Sequence, residues 1–250
     1  MGKVVWGILG GMGPLASAEF LRNINSSAIG LPEGAMPNLI YSSFPDLPDR
    51  TKFLKGNKEI VLAERLNLLL ANMMDIGATR LVLCCYTAYA VSHLFAPRVR
   101  KSLFSLTSLA VSAIRRNKKD ALILCSLGAR DSGIFQSERS WAEASRYAIF
   151  PSSPDLTLLH DIIYEMKLGL APQKALPEIM HIGKKYGANQ WLIGCSELHM
   201  LSKYKRDQPG LDRIEFIDPL MDTATLISGR LTRTQESRIL ARELTKQGYK

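Results

Sequence analysis

Short apolar runs alternate along the chain with longer segments whose apolar residues recur at helical spacing. The runs read as strands: 4–10 (VVWGILG), 38–43 (NLIYSS), 80–85 (RLVLCC), 121–125 (ALILC), 146–150 (RYAIF), 189–194 (NQWLIG) and 214–217 (IEFI). The longer segments predict helices over 15–29, 56–76, 87–95, 107–117, 132–144, 155–168, 172–186 and 219–228. The clearest of them lies in EIVLAERLNLLLANMMDIGA, where Gly77 follows the last periodic residue as a stop signal. Strands alternating with helices argue for parallel sheets covered by helices.

The pattern also repeats. DIGATRLVLCC (75–85) and KYGANQWLIGC (185–195) both read as helix end, Gly-Ala, strand and cysteine. This predicts an α/β fold of two similar parallel-sheet subdomains, pseudo-symmetric and Rossmann-like, with the site in the cleft between them. The expected division puts 1–104 together with 212–250 in the first subdomain and 105–211 in the second. Parallel α/β sheets carry their sites at the carboxyl ends of the strands, and each half presents a thiol there.

Composition changes this picture little. The 250 residues are 46% hydrophobic and 22% charged, ordinary for a globular chain able to bury a proper core. No run approaches the roughly 18 apolar residues of a membrane span, and MGKVVWGILGG enters a strand pattern without a signal-peptide core. A cytoplasmic protein with no membrane partner is the expectation. The net charge of +9 raises the question of nucleic acid. However, residues 230–250 hold six Lys/Arg against two Glu, and another basic cluster, RRNKKD, reads as a helix end and turn. No finger spacing, RNA-binding aromatic signature or helix-turn-helix accompanies the charge, so nucleic-acid binding is disfavoured. The tail RILARELTKQGYK reads as an amphipathic helix with Ile239, Leu240 and Leu244 near one face.

The four cysteines, Cys84, Cys85, Cys125 and Cys195, have neither a metal-binding spacing nor the setting of a disulfide framework, and the four histidines are scattered. Cys84 and Cys125 sit inside apolar runs and read as small buried hydrophobes. Cys85 and Cys195 instead stand where a strand ends and polar residues begin. Two opposed thiols suit stereoinversion at a carbon beside a carboxylate: one removes the proton, the other returns it on the opposite face. Thr87 and Ser196 fall where helix N-termini would begin, so their hydroxyls and neighbouring N–H groups form a candidate carboxylate cradle.

Several motifs in order resemble the aspartate/glutamate racemase family, the cofactor-independent two-cysteine enzymes. They are GILGGMGP at Gly7–Pro14, PDLPDRT at 45–51, YEMKLG at 164–169, GCSELHML at 194–201 and FIDPL at 216–220, covering roughly residues 4–222. The resemblance implies an amino-acid racemase that interconverts L- and D-forms of an acidic amino acid, with Cys85 and Cys195 as the acid/base pair. It implies Arg50 and Lys167 as ligands of a side-chain carboxylate, the arginine through its bidentate fork. Thr87, Ser126 and Ser196 would surround the α-carboxylate, and Met12, Gly13, Tyr86 and Glu197 would complete the substrate site. Glu197 either buffers the Cys195 thiol or caps the following helix. No cofactor, metal or pyridoxal phosphate is implied, and a homodimer is expected.

Two positions depart from the family's Cys-Asn-Thr-Ala-His, which stands here as Cys85-Tyr86-Thr87-Ala88-Tyr89. Tyr86 removes an amide donor and adds bulk, and Tyr89 replaces an imidazole with a phenol. Alternatives on the same scaffold are a maleate-isomerase-like or malonate-decarboxylase-like enzyme, and a racemase-like binding protein that has lost activity.

Overall fold

A computed structural model of the chain describes residues 4–207 and 211–229. The expected tail helix lies outside the described residues. Seven strands form: β1 (Val5–Gly10), β2 (Asn38–Ser43), β3 (Arg80–Leu83), β4 (Ala121–Leu124), β5 (Ala148–Ile149), β6 (Gln190–Ile193) and β7 (Glu215–Ile217). They make two parallel sheets, one ordered β2-β1-β3 and the other β5-β4-β6-β7. Residues of β3, β4 and β6 are buried on both faces, which is why these strands read as unbroken apolar runs.

The α-helices are α1 (Pro14–Ser27), α2 (Arg50–Lys55), α3 (Glu59–Asp75), α4 (Pro97–Ser102), α5 (Leu106–Asn117) and α6 (Leu127–Asp131). They continue as α7 (Trp141–Ala144), α8 (Ser153–Lys167), α9 (Pro172–Lys185), α10 (Ser196–His199) and α11 (Pro219–Ile227). α3 buries Leu62, Ala63, Leu66, Leu70 and Met73 on one face. It ends as its sequence predicts: Gly77 has φ +111°, its N–H bonds the Met74 carbonyl, and the Ala78 N–H bonds that of Met73. These two bonds satisfy orphan carbonyls and turn the chain into β3.

The two sheets repeat one plan. β1 pairs with β3 so that Leu9 faces Leu83, and β4 pairs with β6 so that Leu124 faces Ile193. One further bond extends each ladder, from Cys84 N–H to the Leu9 carbonyl and from Gly194 N–H to the Leu124 carbonyl. The next residues are Cys85 and Cys195, which therefore occupy equivalent places in the two halves.

Three expectations are corrected. The boundary at 212 assigns β7 to the first subdomain, but β7 pairs with β6 at the edge of the second sheet. The return comes with α11, which packs on α1 and α5. Residues 87–95 do not form an α-helix; Tyr86–Leu94 winds as a 3₁₀ segment whose first four residues are all buried, so packing rather than a single apolar face sets its pitch. The helix expected at 132–144 is reduced to α7, because α6 starts earlier, at a Ser126 cap, and the chain leaves it through Gly133 at φ +65°.

Candidate active site

Cys85 and Cys195 both occupy the N-cap position of the segment that follows their strand, in extended backbone conformation. Both residues thus stand at the start of a helical turn, the end where negative charge is favoured, although neither side chain makes a cap hydrogen bond. All four cysteines are free and buried. Burial raises the pKa of Cys84 and pushes that of Cys125 up to about 12, so these two stay protonated and inert.

The partners of Cys85 and Cys195, the two thiols at strand ends, carry opposite charge. Arg50, only 8% exposed, lies beside Cys85. Burial opposes the arginine's charge, but the Cys85 sulfur, then Asp49 and Glu197, outweigh it and raise its pKa. The Cys195 thiol donates to Glu197 Oε2 at 2.9 Å. Burial, followed by the charge of Glu197, holds Cys195 well above its ordinary pKa, against the opposing charge of Lys167. Lys167 ends α8, and its charge is felt by both thiols. Burial works against its charge, and Glu197, Cys195 and Cys85 together prevail to raise its pKa. The charge of one ammonium group thus acts on both sulfurs, with a guanidinium beside one and a carboxylate bonded to the other.

The other expected residues take specific places. The Met12 carbonyl accepts from Arg50 Nη2 at 2.9 Å, while Nη1 donates to the carbonyls of Pro48 and Leu47 at 3.0 and 3.5 Å. Backbone carbonyls thus hold both terminal nitrogens, Nε has no hydrogen-bond partner in the protein, and the Cys85 sulfur lies beside the guanidinium. Gly13 packs against the Glu197 carboxylate so closely that a Cβ there would lie 2.2 Å from Oε1. Thr87 and Ser126 meet across the cleft, hydroxyl to hydroxyl, at 3.1 Å. Ser196 does not present a free hydroxyl, since it donates to Glu197 Oε2 at 3.1 Å. Tyr86 is buried, with its ring 6.4 Å from that of Phe135. Tyr89 points away from chemistry: its hydroxyl donates to the Phe104 carbonyl at 2.8 Å and accepts from Leu83 N–H.

Sequence reasoning missed two supports. Tyr164 donates to Asp49 across the halves and carries Lys167 Nζ over its ring, 4.3 Å from the centroid. Its place three residues before Lys167 on one helix was the available signal. His199 bonds Asp218 through Nδ1 at 2.7 Å and Asn23 through Nε2 at 2.8 Å, tying α10 to α1 and to the cap of α11. Among the described residues, no group of three or more His, Cys, Asp or Glu is placed to hold a metal ion, and no helix is long and apolar enough to cross a membrane.

The fold is shared with solved structures. It resembles aspartate racemase of Picrophilus torridus with a TM-score of 0.76 at 21% identity, covering 96% of this chain and 100% of that one. An aspartate racemase homologue of Pyrococcus horikoshii OT3 matches at a TM-score of 0.59 and 16% identity, over 91% of this chain and 100% of the other. Glutamate racemase of Campylobacter jejuni matches at 0.59 and 13%, over 92% and 86%. The sequence profile described as Asp/Glu/Hydantoin racemase matches residues 9–225, and with most of its length so covered the chain belongs to that family.

Proposed function

We propose that the protein is a cofactor-independent racemase of an acidic amino acid, working through Cys85 and Cys195 as two single-proton acid/base groups. The observation that carries this reading is the pairing of topologically equivalent thiols with partners of opposite charge, Arg50 at Cys85 and Glu197 at Cys195.

In one direction the Cys85 thiolate, with Arg50 as counter-ion, takes the α-proton. The electron pair of the C–H bond passes into the carboxylate as an enolate. Cys195, protonated at rest, then gives its proton to the opposite face of the same carbon; the Glu197 carboxylate holds that proton in place beforehand, and the charge of Lys167 offsets the thiolate left behind. In the other direction the roles exchange. Lys167 and the Nε edge of Arg50 supply positive charge for a second carboxylate, and the Thr87–Ser126 hydroxyl pair lies by the α-carboxylate.

The test is to replace each thiol singly. Cys85→Ser and Cys195→Ser should each abolish net racemisation, while the remaining thiol exchanges the α-proton on its own side. ¹H NMR in D₂O should then show the two variants washing out opposite enantiomers. Washout of the same enantiomer by both would refute the two-face mechanism, and full racemisation by either would remove that cysteine from it.

A further inference from the structure

Among the described residues, five buried side-chain polar atoms have no hydrogen-bond partner in the protein: Arg50 Nε, Tyr86 Oη, Gln136 Oε1, Gln190 Oε1 and Glu197 Oε1. Folded proteins rarely leave such atoms unsatisfied, because each costs roughly 1–3 kcal/mol. Three of the five belong to residues that flank the thiols. Arg50 is beside Cys85, Tyr86 follows Cys85 in the chain, and Glu197 holds Cys195.

Tyr86 is the informative one. Its side chain is 2% exposed, and its ring leans on Phe135 of the opposite half. Besides burial, the groups that act on its hydroxyl are Asp218, Tyr89, Cys195 and Asp222. Asp218 follows directly on Ile217, which pairs with Leu192 three residues before Cys195, and caps α11. The phenol thus follows the first thiol in the chain, leans across to the opposite half at Phe135, and keeps its donor unspent. A ring serving only as filler gains nothing from a hydroxyl in such a place; phenylalanine would fill the same volume without the desolvation cost.

We propose that Tyr86 is a substrate-contacting, specificity-determining residue whose hydroxyl donates to the α-carboxylate of the substrate. This rests on the racemase reading above. The three unpartnered atoms then describe the ligand: two donors, Arg50 Nε and Tyr86 Oη, for carboxylate oxygens, and one acceptor, Glu197 Oε1, for the α-ammonium group. That set matches a zwitterionic amino acid with a second carboxylate.

The experiment compares the wild-type full-length chain with Tyr86→Phe by thermal melting without ligand, by α-proton exchange of L- and D-aspartate and L- and D-glutamate in D₂O, and by inhibition with succinate, which keeps both carboxylates and lacks the ammonium. Removing an unpartnered buried hydroxyl should raise the melting temperature by about 2–4 °C. Losing a hydrogen bond to a carboxylate should lower kcat/KM by ~10- to 100-fold, chiefly through KM, and weaken succinate by a similar factor. Stability up and recognition down together identify a donor reserved for the ligand. Unchanged kcat/KM in Tyr86→Phe, or a lower melting temperature or failure to fold, would give the hydroxyl a structural role and overturn the proposal. Unchanged inhibition by succinate would place it at the ammonium end and overturn the assignment to the carboxylate. If the wild type itself exchanges neither amino acid, the racemase reading falls and this proposal with it, an outcome separated from the others because it appears before any substitution.

Discussion

Replacing Gly13 with alanine tests the Cys195–Glu197 pair without touching either residue. Gly13 caps α1 with φ −126° and ψ 130°, a conformation alanine adopts freely, so the backbone pays nothing. The new methyl carbon, however, stands 2.2 Å from Glu197 Oε1 and 3.4 Å from its Cδ. An ordinary contact requires Oε1 to withdraw by about 1 Å. A carboxylate is rigid, so Oε2 moves with it and the bond to the Cys195 sulfur, now 2.9 Å, stretches by up to about 1 Å, to the limit of a hydrogen bond to sulfur. A hydrogen bond to a charged group is worth ~1.5–3 kcal/mol, which corresponds to a fall of ~10- to 150-fold in the rate of the step that Cys195 performs. Racemisation has an equilibrium constant of one, so kcat/KM must fall equally in both directions. The asymmetry appears in isotope effects. With substrate deuterated at the α-carbon, the primary effect on kcat/KM should grow for the enantiomer whose proton faces Cys195, since that transfer becomes limiting. It should shrink for the other enantiomer, whose deuterium goes to Cys85. The melting temperature should stay within about 2 °C of wild type, because only the tip of one side chain is displaced. Equal isotope effects for the two enantiomers, with kcat/KM reduced, would show that Glu197 does not act through Cys195.

Two other perturbations separate support from chemistry. Arg50→Ala releases the carbonyls of Met12 and Pro48 from their bonds and should cost ~1–3 kcal/mol in thermal melts. It should also raise KM for an acidic amino acid more than for a neutral one, and equal effects on both would reduce Arg50 to a brace. Asp222, pressed by burial and by Asp218, has its pKa raised from 3.8 to about 6. An acid whose folded pKa lies above its unfolded value costs stability as pH rises from about 4 through about 6, and the full cost remains at neutral pH. At 1.36 kcal/mol per pH unit the ceiling is about 3 kcal/mol, and partial exposure reduces it to ~1–2. Asp222→Asn should therefore melt higher than wild type at pH 7 and match it near pH 3.5; an equal melting temperature at pH 7 refutes the shift.

The strands were legible because their residues are buried on both faces, and the turn after α3 because glycine alone tolerates the conformation its two terminal bonds require. The thiols were legible for a related reason: a polar residue at the end of a buried strand has few structural uses. The segments after Cys85 and Ser126 were not, since their winding depends on what surrounds them. Pairs such as Tyr164 with Asp49, 115 residues apart, or His199 with Asn23, 176 apart, lie beyond any local pattern. Arg50 shows an intermediate case: its motif placed it at the site, but only the folded loop reveals which edge of the guanidinium is spent on backbone.

The two sheets do not have separate interiors. One face of the second sheet, with Ala121, Ile123, Leu192 and Ile217, belongs to the same packed cluster as Ile8, Leu9, Val82 and Phe20, while the other face, with Leu122, Leu124, Trp191 and Ile193, closes on α8 and α9. The spacing of the thiols is consequently a matter of side-chain volume. It behaves like the gap of a clamp whose jaws rest on a common filling, not like that of a hinged pair. A methylene gained or lost among those shared residues would be felt first as a change in reaction geometry and only afterwards as a change in stability. In a lineage accumulating neutral drift, that couples the interior to turnover. The residues least free to vary would then include aliphatic ones far from any substrate.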